Sequence, residues 1–473
     1  MKLIMTDRMN NWQELLAGLY DWQELLLSGN GTAEGHRECL LRLASLGDNC
    51  GLPIAEMLSR LESIFGESEI PPEGLAAVVQ LAGQMSEYVR REYDSRLYDS
   101  PQGLLKEVCC ENVYDTSLGK RALIVYILAP FYFDNMRGSH TNIEEARTMA
   151  AVLRDLGYDV DVINTYYAGE LDTDRYDLVI GFRRPFEELL PGLRKTCVSV
   201  YYTTEASPYF ANTAELRRIT AFQGRCGVRP SYERQNMCCL SLDRLLSADG
   251  AICIGNDWTL STYQGMFHRC LKQNATATVL KRDHTHKEGS PYGRAFMWYG
   301  GAGALHKGVD LCIEAFRELP DLELHLVGRL DGVVYEYYRE EIESADNVFY
   351  HGFLPPDNAE FLDLCGRCDF SLGVSCSEGQ STAMLTAMRG GVIPVCMPYM
   401  GIDAEESGGV AIDDVTITEL ADVCRSLSAM DPAEIDGRRK QVCEYVTDKH
   451  SLEAYGRMLR DNLLTLIEMK TKT

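Results

Sequence analysis

The sequence predicts an α/β protein: two parallel-sheet domains preceded by an α-helical domain. Three observations carry this. From about residue 119 onward, short apolar runs alternate with helical patterns, as strand–helix–strand units do. The alternation occurs twice, separated by the polar run Lys281–Pro291. Before residue 119 it is absent, and only helical spacing is found.

The helical domain is placed at 1–118. Trp12-Gln-Glu-Leu-Leu and Trp22-Gln-Glu-Leu-Leu-Leu repeat an amphipathic pattern, and Leu75–Tyr98 continues it. Pro53, Pro71, Pro72 and Pro101 punctuate the segment. Lacking a cluster of catalytic residue types, it reads as an accessory module for a protein partner or for self-association.

The first sheet domain is placed at 119–290. Ala122–Leu128 is a continuous apolar run, as expected of a strand buried on both faces. The loop Ala129–His140 follows, then a helix over Thr141–Leu156 with Glu144 and Glu145 in its first turns. Further strands are expected at Asp159–Ile163, Asp177–Phe182, Cys197–Tyr202 and Ala251–Gly255, with a helix near Asp243–Ser247. The loop after the first strand lacks G-x-G-x-x-G, so the usual dinucleotide fingerprint is excluded. Lys281–Pro291 reads as the interdomain linker, and its His284 and His286 as solvated linker residues.

The second sheet domain is placed at 291–445. Its strands are expected at Ala295–Tyr299, Leu322–Val327, Val348–His351, Phe370–Val374, from Val392, and at Val410–Ile412. Helices are expected over Val309–Leu319, Asn358–Gly366, Ser381–Arg389 and Ile417–Met430. Residues 446–473 form a last segment, with a helix over Ser451–Lys470 that packs back across the domains.

Composition narrows the function classes. The formal net charge of −24 argues against nucleic acid and against a broad basic membrane-binding patch. No apolar run reaches the roughly 20 residues needed to span a bilayer, and Met1–Asn10 has no signal-peptide core. The 17 cysteines include several inside apolar runs, which suits free thiols in a reducing cytoplasm. Cys365-Gly-Arg-Cys368 is a lone C-x-x-C without a second ligand pair, and reads as two structural thiols.

Chemistry concentrates in Ser375–Pro394. An apolar run stops at a polar turn carrying one acid, Glu378, then small residues, then a short helix closed by Gly390 and Gly391. Free N–H groups of a first helical turn favour an anion. A carboxylate beside them suits a ligand with both hydroxyls and phosphate, such as a nucleotide-sugar. A second loop, Gly300–Gly308, places Lys307 in a glycine-rich turn at a helix start, where a cation can meet a diphosphate.

These motifs resemble the GT-B glycosyltransferases, in particular family 4 (glycosyl transferases group 1), over roughly residue 120 to the end. Glu378 and Ala387-Met-Arg-Gly-Gly391 are in register with that family's signature, while Thr386 replaces its second Glu. Gly303-Ala-Leu-His-Lys-Gly-Val-Asp-Leu311 resembles the phosphate loop, with Ala302 where an Arg is frequent. One phosphate cation is then missing, unless Arg329 or a residue of the other domain substitutes. Gly138–Ile143, Leu156–Val162, Tyr201–Thr204, Phe210–Asn212 and Gly255-Asn256 resemble a bacterial subgroup.

The resemblance implies two Rossmann-like domains and a retaining transfer from a UDP- or GDP-linked sugar. It implies no cofactor and no metal. The acceptor would be a glycan or lipid-linked, in bacterial surface polysaccharide or glycoconjugate synthesis. The enzyme would be cytoplasmic, or peripheral at the inner membrane face. Lys307, Glu378 and His140 are the implied catalytic residues. Donor contacts fall on Gly303, His306, Arg329, Gly352, Phe353, Gly379, Gln380, Ser381, Thr382 and Thr386, and acceptor-side contacts on Gly138, Ser139 and Glu205. The matches Asp159-Val-Asp161 and Asp172-Thr-Asp174 read as structural rather than metal-binding. A non-catalytic binding subunit of the same fold is the competing reading, with Thr386 and Ala302 as its support.

Overall fold

The computed structural model describes residues 39–43, 105, 108–132, 141–230, 234, 242–282, 291–330 and 332–472. The chain divides into two compact units. One is Met1–Glu111 with Tyr166–Gly169. Its described part includes a helical turn at 39–43, with Leu40 and Leu43 buried, and the short strand Cys109–Cys110. The Trp12 and Trp22 repeats and the Leu75–Tyr98 helix lie outside the described residues.

The other unit, Asn112–Thr165 with Glu170–Thr473, holds both sheets. The first is built from β1 (Lys120–Tyr126), α1 (Asn142–Asp155), β2 (Tyr158–Asn164), β3 (Leu178–Gly181), β4 (Val198–Thr203), α2 (Pro208–Cys226), β5 (Gly250–Ile254) and β6 (Cys270–Gln273). Within this unit its parallel strands run in the order β2-β1-β3-β4-β5-β6. The apolar runs at Ala122 and Asp177 become strands whose inner residues are almost fully buried.

The second sheet contains β7 (Ala295–Gly300), α3 (Val309–Phe316), β8 (Glu323–Gly328), α4 (Gly332–Ser344), β9 (Val348–Gly352), α5 (Ala359–Arg367), β10 (Phe370–Gly373), α6 (Thr382–Arg389), β11 (Ile393–Cys396) and β12 (Val410–Ala411). Its order is β9-β8-β7-β10-β11-β12, again all parallel. One face rests on Phe296, Phe316 and Phe370, with Phe296 and Phe370 stacked at 5.1 Å. Strand order reverses between β7 and β10, so the loops leaving these two strands open a crevice at their carboxyl ends. Ligands of open α/β sheets bind at such a switch point.

Three helices follow: α7 (Ile417–Ser428), α8 (Pro432–Lys449) and α9 (Leu452–Lys472). The last two part at His450, whose ring and carbonyl engage Ala275 and Ala277 of the chain between the sheets, at 2.8 and 2.9 Å. Helix α8 stays on α6, whereas α9 crosses to the first sheet domain and packs on α1. There Tyr455 meets the hydroxyl of Tyr202 at 2.9 Å, and Lys470 pairs with Asp249 at 2.7 Å.

Four elements carry no clear sequence signal. Strand β6 is only four residues, Cys-Leu-Lys-Gln, mostly half-buried. Helices α2, α4 and α8 are largely polar, with narrow buried stripes. Part of the loop expected at Ala129–His140 is helical, at Ala129–Tyr132, and residues 133–140 lie outside the described set.

Candidate active site

The loop after β7 and the loop after β10 converge on one ion pair. Lys307 donates from Nζ to Glu378 Oε1, and both side chains are about nine-tenths buried. The lysine stem passes over Gly300, where an added Cβ would lie 2.9 Å from Lys307 Cδ. Trp298 fixes the same turn by donating its indole N–H to the Lys307 carbonyl at 3.0 Å. Glu378 is braced in turn. Its amide donates to the Tyr399 carbonyl at 2.8 Å, and Ser375 Oγ donates to Oε1 at 3.1 Å.

A second cation reaches the same carboxylate from the first domain. Arg234 donates to Glu378 Oε2 at 3.4 Å and to Glu205 Oε1 at 2.7 Å. Its amide is held by Glu215 of α2 at 2.8 Å. Burial alone would raise the Glu378 carboxyl, but Lys307 and Arg234 outweigh it and hold it at about 2. Burial lowers Lys307 below an ordinary lysine despite Glu378, and Arg234 beside it acts in the same direction. For Arg234 burial works downward, yet Glu205 and Glu378 leave it raised and always charged.

His306 is a brace between the loops. Its Nε2 lies 2.6 Å from the Ser377 carbonyl, and Nδ1 lies 3.5 Å from Cys376 Sγ. Burial and then Arg234 push the imidazole down to about 4, and burial pushes the Cys376 thiol up to about 12. Both are therefore neutral at pH 7, which excludes a thiolate–imidazolium nucleophile.

Ser381 caps α6, accepting from the Met384 amide at 3.4 Å, so α6 begins at Thr382. Gly379 sits where an added Cβ would be 2.2 Å from the Thr204 carbonyl oxygen, and its own carbonyl accepts from Thr259 at 2.9 Å. Gln380 ties the loop to Ala275 at 2.7 Å and to Gly401 at 3.2 Å. Thr386 is 2% exposed, and its hydroxyl donates to the Thr382 carbonyl at 2.7 Å. It also accepts from the Thr278 amide at 3.4 Å. Arg329, after β8, lies over the exposed ring of Phe353, after β9, at 5.6 Å, and Gly352 takes φ +67° in that turn. Gly138, Ser139 and His140 lie outside the described residues.

Three carboxylates of the two D-x-D matches have structural partners. Asp161 is buried and accepts from Arg121, Arg175 and the Tyr176 hydroxyl. Asp159 accepts from Thr116 and Leu118, and Asp172 caps the turn at Asp174. Cys365 and Cys368 are buried, and their carbonyls accept from the buried Arg439 at 2.8 and 2.7 Å.

Arg234 is the residue that sequence reading misses, because no motif surrounds it. The arrangement can hold a negatively charged group between two cations from opposite domains, next to a carboxylate able to accept from hydroxyls.

Residues 294–429 match the family model Glycosyl transferases group 1. The chain is similar to sucrose-phosphate synthase from Thermosynechococcus elongatus, at 14% identity and TM-score 0.51, over 74% of this chain and 99% of that one. WaaG, a glycosyltransferase involved in lipopolysaccharide biosynthesis, aligns at 15% identity and TM-score 0.44 over 72% and 98% of the two chains. HepE from Anabaena, in complex with UDP-glucose, aligns at 12% and 0.45 over 73% and 99%. No curated protein matches the chain. The body formed by the two parallel sheets thus has the GT-B glycosyltransferase fold, and residues 294–429 of its second domain are similar to the glycosyl transferases group 1 family.

Proposed function

We propose that the protein is a retaining glycosyltransferase, moving a sugar from a UDP- or GDP-linked donor to a glycan or lipid-linked acceptor of the bacterial surface. One observation carries this reading: Lys307 and Glu378, from the loops flanking the switch point of the second sheet, meet in one buried contact. A diphosphate leaving group gains negative charge as the glycosidic bond breaks, and Lys307 would offset that charge in a site of low dielectric. The N–H groups at the start of α6 would add to the same field. Glu378 would accept from donor-sugar hydroxyls. The exposed Arg329–Phe353 pair would offer its flat face to the nucleobase. Gly138, Ser139 and His140 would serve the acceptor side with Glu205.

In this reading no divalent cation is needed, because side-chain cations already face the leaving group. Among the described residues no helix is long and apolar enough to cross a membrane. A cytoplasmic enzyme, or one working at the inner membrane face, agrees with that.

The test is donor turnover with a panel of UDP- and GDP-sugars, with and without chelator. Lys307→Ala should weaken nucleoside-diphosphate binding, and Glu378→Ala should reduce turnover more than binding. Wild-type transfer rates in both variants would overturn the assignment. Loss of turnover in chelator, restored by magnesium or manganese, would overturn metal independence. A binding subunit without turnover is the second reading, supported by the Thr386 hydroxyl being committed inside the protein. Tight nucleotide-sugar binding with no hydrolysis or transfer would favour it.

A further inference from the structure

We infer that Arg234 is the second phosphate-binding cation of the donor site, so that the first sheet domain supplies part of the donor site itself. The inference rests on the donor reading above. Four charged side chains form one chain across the cleft, Glu205 and Arg234 half-buried, Glu378 and Lys307 buried. Two belong to the first domain and two to the second. Each cation touches Glu378, through different oxygens.

The glycine-rich loop is shaped around both cations. Gly300 leaves room for the Lys307 stem. Gly303, at φ +87°, leaves room for that of Arg234, whose Cγ and Cδ would each lie 2.8 Å from an added Cβ. A loop of that kind at a helix start suits a phosphate, and here the stem of an arginine from the opposite domain lies against it. The Arg234 backbone is anchored by Glu215 and its guanidinium by Glu205, so the fork is aimed before any ligand arrives. A guanidinium pairs with two phosphate oxygens at once, which a single ammonium cannot do.

The ligand follows from charge. Glu378 is shared between both cations, with Glu205 on Arg234 alone, and a diphosphate brings two or more charges on oxygens spaced to meet each cation separately. It would displace Glu378 from both and release that carboxylate to accept from the donor sugar. Arg234 thereby senses the phosphate distal to the nucleoside, and a nucleoside monophosphate would gain little from it.

The test is calorimetric titration of the full chain with UDP, GDP, UMP and GMP, for wild type, Lys307→Ala, Arg234→Ala and Arg234→Lys. Thermal melting checks that each variant is folded. Loss of one charge-assisted contact predicts about 10- to 100-fold weaker diphosphate binding in Arg234→Ala. Monophosphate affinity should stay within about threefold. Arg234→Lys, which keeps the charge and loses the fork, should recover only part of the loss. Millimolar guanidinium should restore affinity to Arg234→Ala beyond an equal concentration of sodium chloride. Unchanged diphosphate affinity in folded Arg234→Ala, alongside loss in Lys307→Ala, would overturn this inference and leave the donor reading standing. Absence of nucleotide binding in wild type would overturn both.

Discussion

Arg234 and Gly303 occupy one space. The arginine stem runs through the volume that any side chain at 303 would take, and Gly303 stands at φ +87°. Gly303→Ala therefore acts twice. Alanine in left-handed backbone costs roughly 1–2 kcal/mol, and the flexible Arg234 stem must swing aside. We expect a fall of roughly 1–2 kcal/mol in urea unfolding, with a proportionally larger loss of nucleoside-diphosphate affinity. Full affinity at reduced stability would separate the loop from the site.

Asp310, of the Lys-Gly-x-Asp stretch, is not placed to meet a ligand. It is fully buried and receives Arg225 and, at 3.6 Å, Arg218, both from α2 of the first domain. Burial raises its carboxyl, and the two arginines act against that. Arg218 also donates to the Val374 carbonyl at 3.0 Å, at the end of β10. The pair couples the two domains beneath the site. Asp310→Asn leaves the buried Arg218 without its counter-charge, while Arg225 keeps Glu314 at 3.3 Å, and should cost roughly 3–5 kcal/mol. Urea denaturation measures it, and a loss under about 1 kcal/mol would mean that water replaces the carboxylate there.

The sites on either side of the cleft were unequally legible. Lys307 and Glu378 each sit in a local pattern: a glycine-rich turn before a helix, and a polar stop after an apolar run. Local backbone demands write such patterns into neighbouring residues. Arg234 is 144 positions from the carboxylate it meets, and no motif surrounds it in the sequence. Only tertiary packing brings it in. The central strands of both sheets were legible because they are buried on both faces, whereas the half-buried β6 was not. Helices α2 and α8 were not, since each buries few apolar side chains and uses buried charges, Arg218 and Arg439, for its contacts.

Thr386 tests how far a family pattern can be restored by one residue. Its hydroxyl is spent on Thr382 and Thr278, and it is 2% exposed. A glutamate there would bury a charge with no cation bonded to the present side chain. Thr386→Glu should lower the melting temperature by several degrees, corresponding to roughly 1–3 kcal/mol, without tightening UDP or GDP. Tighter binding in calorimetry would mean that the Thr278 segment yields and the carboxylate reaches the nucleotide.

Acid sensitivity should arise from buried histidines before Glu378. His306 and His450 are each pushed down to about 4, chiefly by burial. For His450 the Ala275 carbonyl and Asp403 act upward, while Lys272 and Lys449 act downward. An unfolded histidine takes up its proton near pH 6.5. Between pH 6.5 and 4 the unfolded chain thus holds more protons than the folded one, and stability must fall as pH falls. Each histidine can remove on the order of 3 kcal/mol across that window. Glu378, held at about 2, has the opposite history: its contribution is complete above the unfolded carboxyl value and is lost only as pH falls toward 2. Urea unfolding at intervals from pH 7 to 4.5 should therefore show a slope that Glu378 does not cause. His450→Asn keeps a donor for the Ala275 carbonyl, now held at 2.8 Å, and removes the titration. It should flatten the slope by roughly a third, because His306 and His325 are each held at about 4 as well. A profile identical to wild type would show that His450 binds its proton in the folded protein as readily as in the unfolded one.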